Sequence, residues 1–143
     1  MVVTAESLPL GIVTGPGDEH NVRRLVEVVG SMRVKHGIER SLSRPRWVYA
    51  DSAYDSKRIR SYLRHRGIRV CIPINPRSRR KPKRGRPYGF DEMGYGRLRS
   101  AVERFSAWLK SFRRLTVRYE RLAATFPAFI QVASIPIYLR VLQ

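Results

Sequence analysis

The apolar positions of this chain change their period several times, and each change marks an element. Val2 to Glu6 and Leu8 to Thr14 are two β-type runs parted by a short turn, followed by the chain-breaking Gly15, Pro16 and Gly17. They predict a hairpin. From Glu19 to about His36 the apolar residues Val22, Leu25, Val26 and Val29 recur at helical spacing, with Gly37 placed to stop the helix. Trp47 to Ala50 is a short apolar strand ending on Asp51. Ser56 to Arg66 reads as a helix that turns Ile59, Tyr62 and Leu63 inward and is closed by Gly67. Ile68 to Ile74 is another strand. Leu98, Val102, Phe105, Leu109 and Phe112 then recur at three and four, which predicts one long amphipathic helix from about Gly94 to Tyr119. The tail after Leu122 reads as helical, broken at Pro127 and Pro136.

With 143 residues the chain fits one domain, and 43% apolar residues suffice for a core. Charge changes the picture more. Lys and Arg number 29 against 11 Asp and Glu, a formal net charge of +18. Such a density suits a polyanion better than a small metabolite, because each cation that meets a phosphate releases condensed counterions. Nucleic acid is the expected partner. Cys71 is the sole cysteine, which excludes an intramolecular disulfide framework and a multi-cysteine zinc site and points to a reducing, cytoplasmic setting, associated with the nucleoid. MVVTAESLPL is no secretory signal, and FPAFIQVASIPIYL, 126–139, is too short for a membrane span. No membrane partner is expected.

The charge is unevenly spread. Residues 1–56 hold 7 basic and 7 acidic side chains, 57–86 hold 13 basic and none acidic, and 87–143 hold 9 basic and 4 acidic. The densest part is RSRRKPKRGR, 77–86, with Arg77, Arg79, Arg80, Lys81, Lys83, Arg84 and Arg86. Its proline and glycine argue for an irregular loop, which serves either as a solvated segment or, as expected here, as a nucleic-acid contact.

Two carboxylates stand out. Asp51 ends a short apolar strand, the place where open α/β sheets put their ligands. Glu103 lies on the long helix with Arg99 four residues before, Lys110 seven after and Arg114 eleven after, one polar stripe opposite Val102, Phe105 and Leu109. From spacing alone this stripe reads first as an ordinary salt-bridged surface and only second as a site. His20, His36 and His65 are scattered and read as surface or capping residues; Cys71 reads as core, and Trp108 as core before base stacking.

The string VERFSAWLKSFRRLTVRYERLAATFPAFIQVASI, 102–135, resembles the C-terminal catalytic signature of DDE-type insertion-sequence transposases. VYADSAYDSKRIRSYLRHRGIRVCIP, 48–73, resembles the region of the family's second aspartate, LPLGIVTGPGDEHN, 8–21, its hairpin, and GRP, 85–87, its basic linker. The resemblance implies a ribonuclease-H-like α/β fold, a mixed sheet flanked by helices, with Asp51 and Glu103 as metal-binding members of the catalytic triad. It implies Mg²⁺ as cofactor, held by Asp51 and Glu103, and DNA as partner, met by Arg99, Lys110, Arg114 and the basic loop. The family's pattern of Arg, three residues, Glu, six residues, Lys is met by Arg99, Glu103 and Lys110; its tyrosine would fall on Gly96, and Tyr95 stands one residue early.

The family's first strand and first aspartate would precede the opening hairpin. Asp18, Glu19 and Asp55 are read as helix-opening caps rather than replacements. The expectation is therefore a partial catalytic domain over 1–143, truncated at the N-terminus, with a basic loop at 77–93 and C-terminal helices at 94–143. Alone it is expected to be inactive. A complementing upstream transposase peptide or a frameshift product would supply what is lacking, and a homo-oligomer is the other partner considered. The alternatives are a noncatalytic nucleic-acid-binding protein and a regulatory fragment of a transposase.

Overall fold

A computed structural model describes residues 1–15, 21–32, 34–36, 40–42, 44–78, 87–117 and 125–141. The opening hairpin is present but short: β1 (Val2–Val3) pairs antiparallel with β2 (Pro9–Gly11). Gly11 lets β2 approach the next helix, since a Cβ there would meet the Val28 carbonyl at 3.0 Å. A 3-10 turn, Asn21–Arg24, leads into α1 (Leu25–Ser31), which buries Leu25, Val28 and Val29.

The helix expected to reach His36 stops at Ser31. Met32 turns to extended backbone and is itself buried. Beyond it β3 (Val34–His36) pairs antiparallel with β4 (Arg40–Leu42), so strand pairing overrides the weak helical period of this stretch.

β5 (Trp47–Tyr49) and β6 (Arg69–Cys71) are parallel, joined by α2 (Lys57–His65). This is the part the sequence describes best. Ser56 caps α2 by accepting the Ile59 N–H at 3.2 Å, and Ile59 and Leu63 are buried as expected. Gly67, at φ +67°, closes the helix: its N–H reaches the Arg64 carbonyl at 2.8 Å and the Ile68 N–H reaches Leu63 at 2.9 Å. Val48, Ile59, Leu63, Ile68 and Ile72 join Leu25, Val29 and Met32 in one apolar core, with Val2 and Leu10 packed against it.

The long helix is broken. α3 (Glu92–Lys110) ends where the Ser111 hydroxyl bonds back to the Trp108 carbonyl at 2.7 Å, and Phe112 becomes extended with its ring edge-on to Trp108. The single turn α4 (Arg113–Thr116) follows. Buried Ala101 and Phe105 set the inner face of α3, and Val102, expected inward, is exposed. In the tail, α5 (Thr125–Val141) runs through Pro136 instead of breaking there. Pro127 lies in the first turn, where no intrahelical N–H is needed. Pro136 and Val132 are both exposed, so the carbonyl that loses its partner faces water. No helix among the described residues is long and apolar enough to cross a membrane.

The result is a mixed helix and sheet protein of the α/β kind, and its described strands form three two-stranded sheets rather than one. α3 ties two of them together, because it packs against both β1 and β5. Arg104 clasps the first hairpin's turn, donating to Ser7 Oγ at 3.2 Å and to the Ala5 carbonyl at 2.9 Å. Trp108 donates from Nε1 to the Ala133 carbonyl of α5 at 3.1 Å, and Tyr138 donates its hydroxyl to Pro9. Trp108 thus packs between helices, in agreement with its core reading, and Cys71 is fully buried.

Candidate active site

The site is built where β5 ends. Asp51 leaves the strand and caps the following 3-10 turn, Ser52–Tyr54, accepting the Ser52 N–H at 2.6 Å and the Ser52 hydroxyl at 3.3 Å through Oδ1. Asp51 is exposed, and among the described residues its Oδ2 has no hydrogen-bond partner. Two phenols lie close enough to feel its charge. Tyr95 is held above its ordinary pKa first by burial and then by Asp51, and Tyr54 likewise. Both therefore keep their protons at neutral pH and remain donors.

Tyr95 stands four residues before Arg99, and Arg99 four before Glu103, so the three share one stripe of α3. Arg99 Nε lies 3.8 Å from Glu103 Oε1, a loose and exposed pair. Tyr95 also feels the Arg99 charge. Tyr95, Arg99 and Glu103 thus follow one another along α3, with Glu103 roughly 12 Å farther along the helix axis than Tyr95, and the charge of Asp51 acts at the Tyr95 end. Lys110, exposed, is the last residue of α3. Arg114 leaves the stripe: the break at Ser111 places it on α4, with its guanidinium 5.6 Å from the Phe129 ring centre. Arg77 is exposed beside the Pro76–Ser78 turn. Arg79, Arg80, Lys81, Lys83, Arg84 and Arg86 lie outside the described residues, as do Asp18, Glu19, His20 and Tyr119.

Two acidic residues do work that spacing did not reveal. Asp55 is no helix cap, since Ser56 has that role. It is buried and paired with Arg60, 2.7 Å from Nε to Oδ1, and its Oδ2 accepts the Asn75 N–H at 2.9 Å. Arg60 also donates to the Ile72 carbonyl at 2.7 Å and lies over the Tyr88 ring. This pair anchors the turn that carries Asp51 and leaves Asp55 committed. Asp91 caps α3, accepting the Gly94 N–H at 3.0 Å, while its other oxygen accepts the Tyr49 hydroxyl at 2.9 Å. Those two bonds, in that order, hold its carboxyl below the usual range. Its backbone N–H reaches Cys71 Sγ at 3.3 Å, and burial pushes that thiol up. The N-terminus of α3 is thus pinned to both β5 and β6. An Asp-Glu pair opening a helical run is a cap signal, and Asp91-Glu92 would have moved the predicted start from Gly94.

Mg²⁺ takes oxygen ligands, usually one or two carboxylates with waters and phosphate oxygens. Asp51 and Glu103 fit in donor chemistry and exposure. Among the described residues no three His, Cys, Asp or Glu side chains gather to hold a metal.

Comparison with known proteins gives the family of the chain. A Burkholderia cepacia protein named as a transposase for insertion sequence element IS402 is 35% identical over 133 residues, which cover 92% of this chain. The match spans 57% of that relative's length. No solved structure matches the chain. The family model for the transposase DDE domain matches residues 1–135. By that match and that identity, the chain belongs to the DDE-domain transposases.

Proposed function

We propose that this chain carries the second aspartate and the glutamate of a transposase catalytic triad, Asp51 and Glu103, and acts on DNA strands. The supporting observation is the stripe of α3 on which Tyr95, Arg99 and Glu103 succeed one another, in a chain matched to the transposase DDE domain over 1–135. A bound Mg²⁺ would rest on Asp51 and Glu103 with one further carboxylate, and would supply the Lewis acid for phosphodiester cleavage and strand transfer. The chain's own residues position the DNA. Arg99 and Lys110 meet phosphate oxygens, Arg99 through a forked donor pair that a weak contact with Glu103 leaves available. Tyr95 and Tyr54 donate hydroxyl protons toward the same oxygens. Arg114, Arg77 and the basic tract through Arg86 extend the contact along the backbone of the duplex.

The same reading makes the fold ribonuclease-H-like over 1–143, with the basic loop at 77–93 and the C-terminal helices after it. β1 pairs with β2 and β5 with β6, while α3 spans both pairs. One strand seated between β1 and β5, bearing the further carboxylate, would join them into a single mixed sheet.

The test is cleavage of supercoiled plasmid with Mg²⁺ or Mn²⁺ by this chain, by a form extended with an upstream strand bearing an aspartate, and by Glu103→Gln in each. Cleavage by the extended form, abolished by Glu103→Gln, is the expected result. Plasmid binding without any cleavage would favour a noncatalytic DNA-binding or regulatory role.

A further inference from the structure

At the start of the strand pair whose far end leads to Asp51 lies an open groove of about 650 Å³. One wall is made by the first residues of β5 and β6. Trp47 is 38% exposed, stacks on Tyr49 at 5.9 Å between ring centres, and carries the Arg69 guanidinium 5.2 Å from its own ring centre. The opposite wall is the segment before α3, where Phe90 is 45% exposed and leans on Tyr95 at 5.2 Å. Arg64 and Arg69 line the groove, exposed and without an ion pair among the described residues. Its one carboxylate, Asp91, is already engaged by Gly94 and Tyr49.

Exposed rings that line one cationic groove have one suitable occupant among polyanions. A flat, apolar base needs a π-face, and its phosphate needs a cation. In a duplex the bases are stacked on each other and offer no face. We propose that this groove seats an unpaired nucleotide of a DNA strand, its base against Trp47 and Phe90 and its phosphates on Arg69 and Arg64. The inference rests on the DNA-acting function proposed above and deepens it. The aromatic path gives it a place in that function: Phe90 touches Tyr95, and Tyr95 feels Asp51, so a strand held here is led toward the carboxylates.

The experiment measures binding of a labelled eight-nucleotide oligothymidylate and of a labelled duplex to the full chain, by fluorescence anisotropy across a salt series. Trp47→Ala is expected to weaken single-strand binding about tenfold, to change duplex binding less than twofold, and to leave the salt slope unaltered, because a stacked ring releases no counterions. Trp47→Phe restores most of the loss. Arg69→Gln lowers the single-strand salt slope by about 0.7, one phosphate contact. If Trp47→Ala melts early, exposed Phe90→Ser carries the same test. Equal losses on both DNA forms, or no loss on the single strand, overturn the groove. If the groove variants bind both forms like the parent while Glu103-dependent cleavage persists, this inference alone fails. If the parent chain binds neither form, the DNA-acting function fails with it.

Discussion

Removing the carboxylate of Asp55 tests the support of the site without touching the site. Asp55 and Arg60 side chains are 1% and 4% exposed, so neither charge is screened by water. Asp55→Ala leaves the Arg60 cation buried without its partner and deprives the Asn75 N–H of its acceptor. Breaking a buried pair on one side costs about 3–5 kcal/mol. For a chain of this length that lowers Tm by roughly 3 °C per kcal/mol, or about 10–15 °C in all. Arg60→Met costs a similar amount, since it takes the guanidinium from the buried Asp55 carboxylate and the donor from the Ile72 carbonyl. The double variant Asp55→Ala/Arg60→Met removes both charges and recovers part of the loss, giving a coupling of about 2 kcal/mol or more; the unpaired Ile72 carbonyl keeps recovery incomplete. Urea unfolding followed by far-UV circular dichroism at pH 7 measures all four proteins. Single variants that each cost under about 1 kcal/mol, or a double variant equal to the sum of the singles, would refute the reasoning.

Glu103→Gln is expected to alter unfolding free energy by less than about 0.5 kcal/mol, because its pair with Arg99 is exposed and loose, while it removes cleavage by the completed enzyme; chemical denaturation beside the plasmid assay separates the two effects. Asp91→Asn bears on pH. The Asp91 carboxyl lies below its ordinary value, so its contribution is present above about pH 4 and is lost as pH falls through the folded pKa. A series of melts from pH 6 to pH 2 should show a shallower acid decline for the variant than for the parent. Ser56→Ala, which removes the acceptor for the Ile59 N–H, should cost about 1 kcal/mol by urea unfolding. Trp108→Phe keeps the aromatic packing but leaves the Ala133 carbonyl without its donor, for an expected cost of about 1 kcal/mol in the same assay.

Local chemistry was strong enough to be read directly in the stretch from Trp47 to Cys71. A short apolar strand, a serine cap, an inward face of Ile59 and Leu63, and a glycine free to take φ +67° each specify their own element within a few residues. Asp51 at a strand end and Glu103 with Arg99 one turn before it were legible for the same reason, since periodicity alone places them. Net charge, the basic tract and the single cysteine needed no fold at all.

Competition between distant parts decided the rest. α1 ends at Ser31 because Met32 is drawn into the core and the next residues find a pairing partner at 40–42, which no local period announces. α3 breaks at Ser111, where a hydroxyl bonded back to its own helix and a ring packed on Trp108 outweigh a continuous apolar repeat. Asp55 and Asp91 looked alike as acids near helix starts. Burial beside Arg60 made one a structural ion, and contact with Tyr49 and Cys71 made the other the pin of α3. Tyr95 stands one residue off the family's expected position, yet four residues before Arg99 places it on the same helical face. A residue's neighbours in sequence set its type and period. Its charge partners, its exposure and its distance from Asp51 come from elements folded against it from elsewhere in the chain.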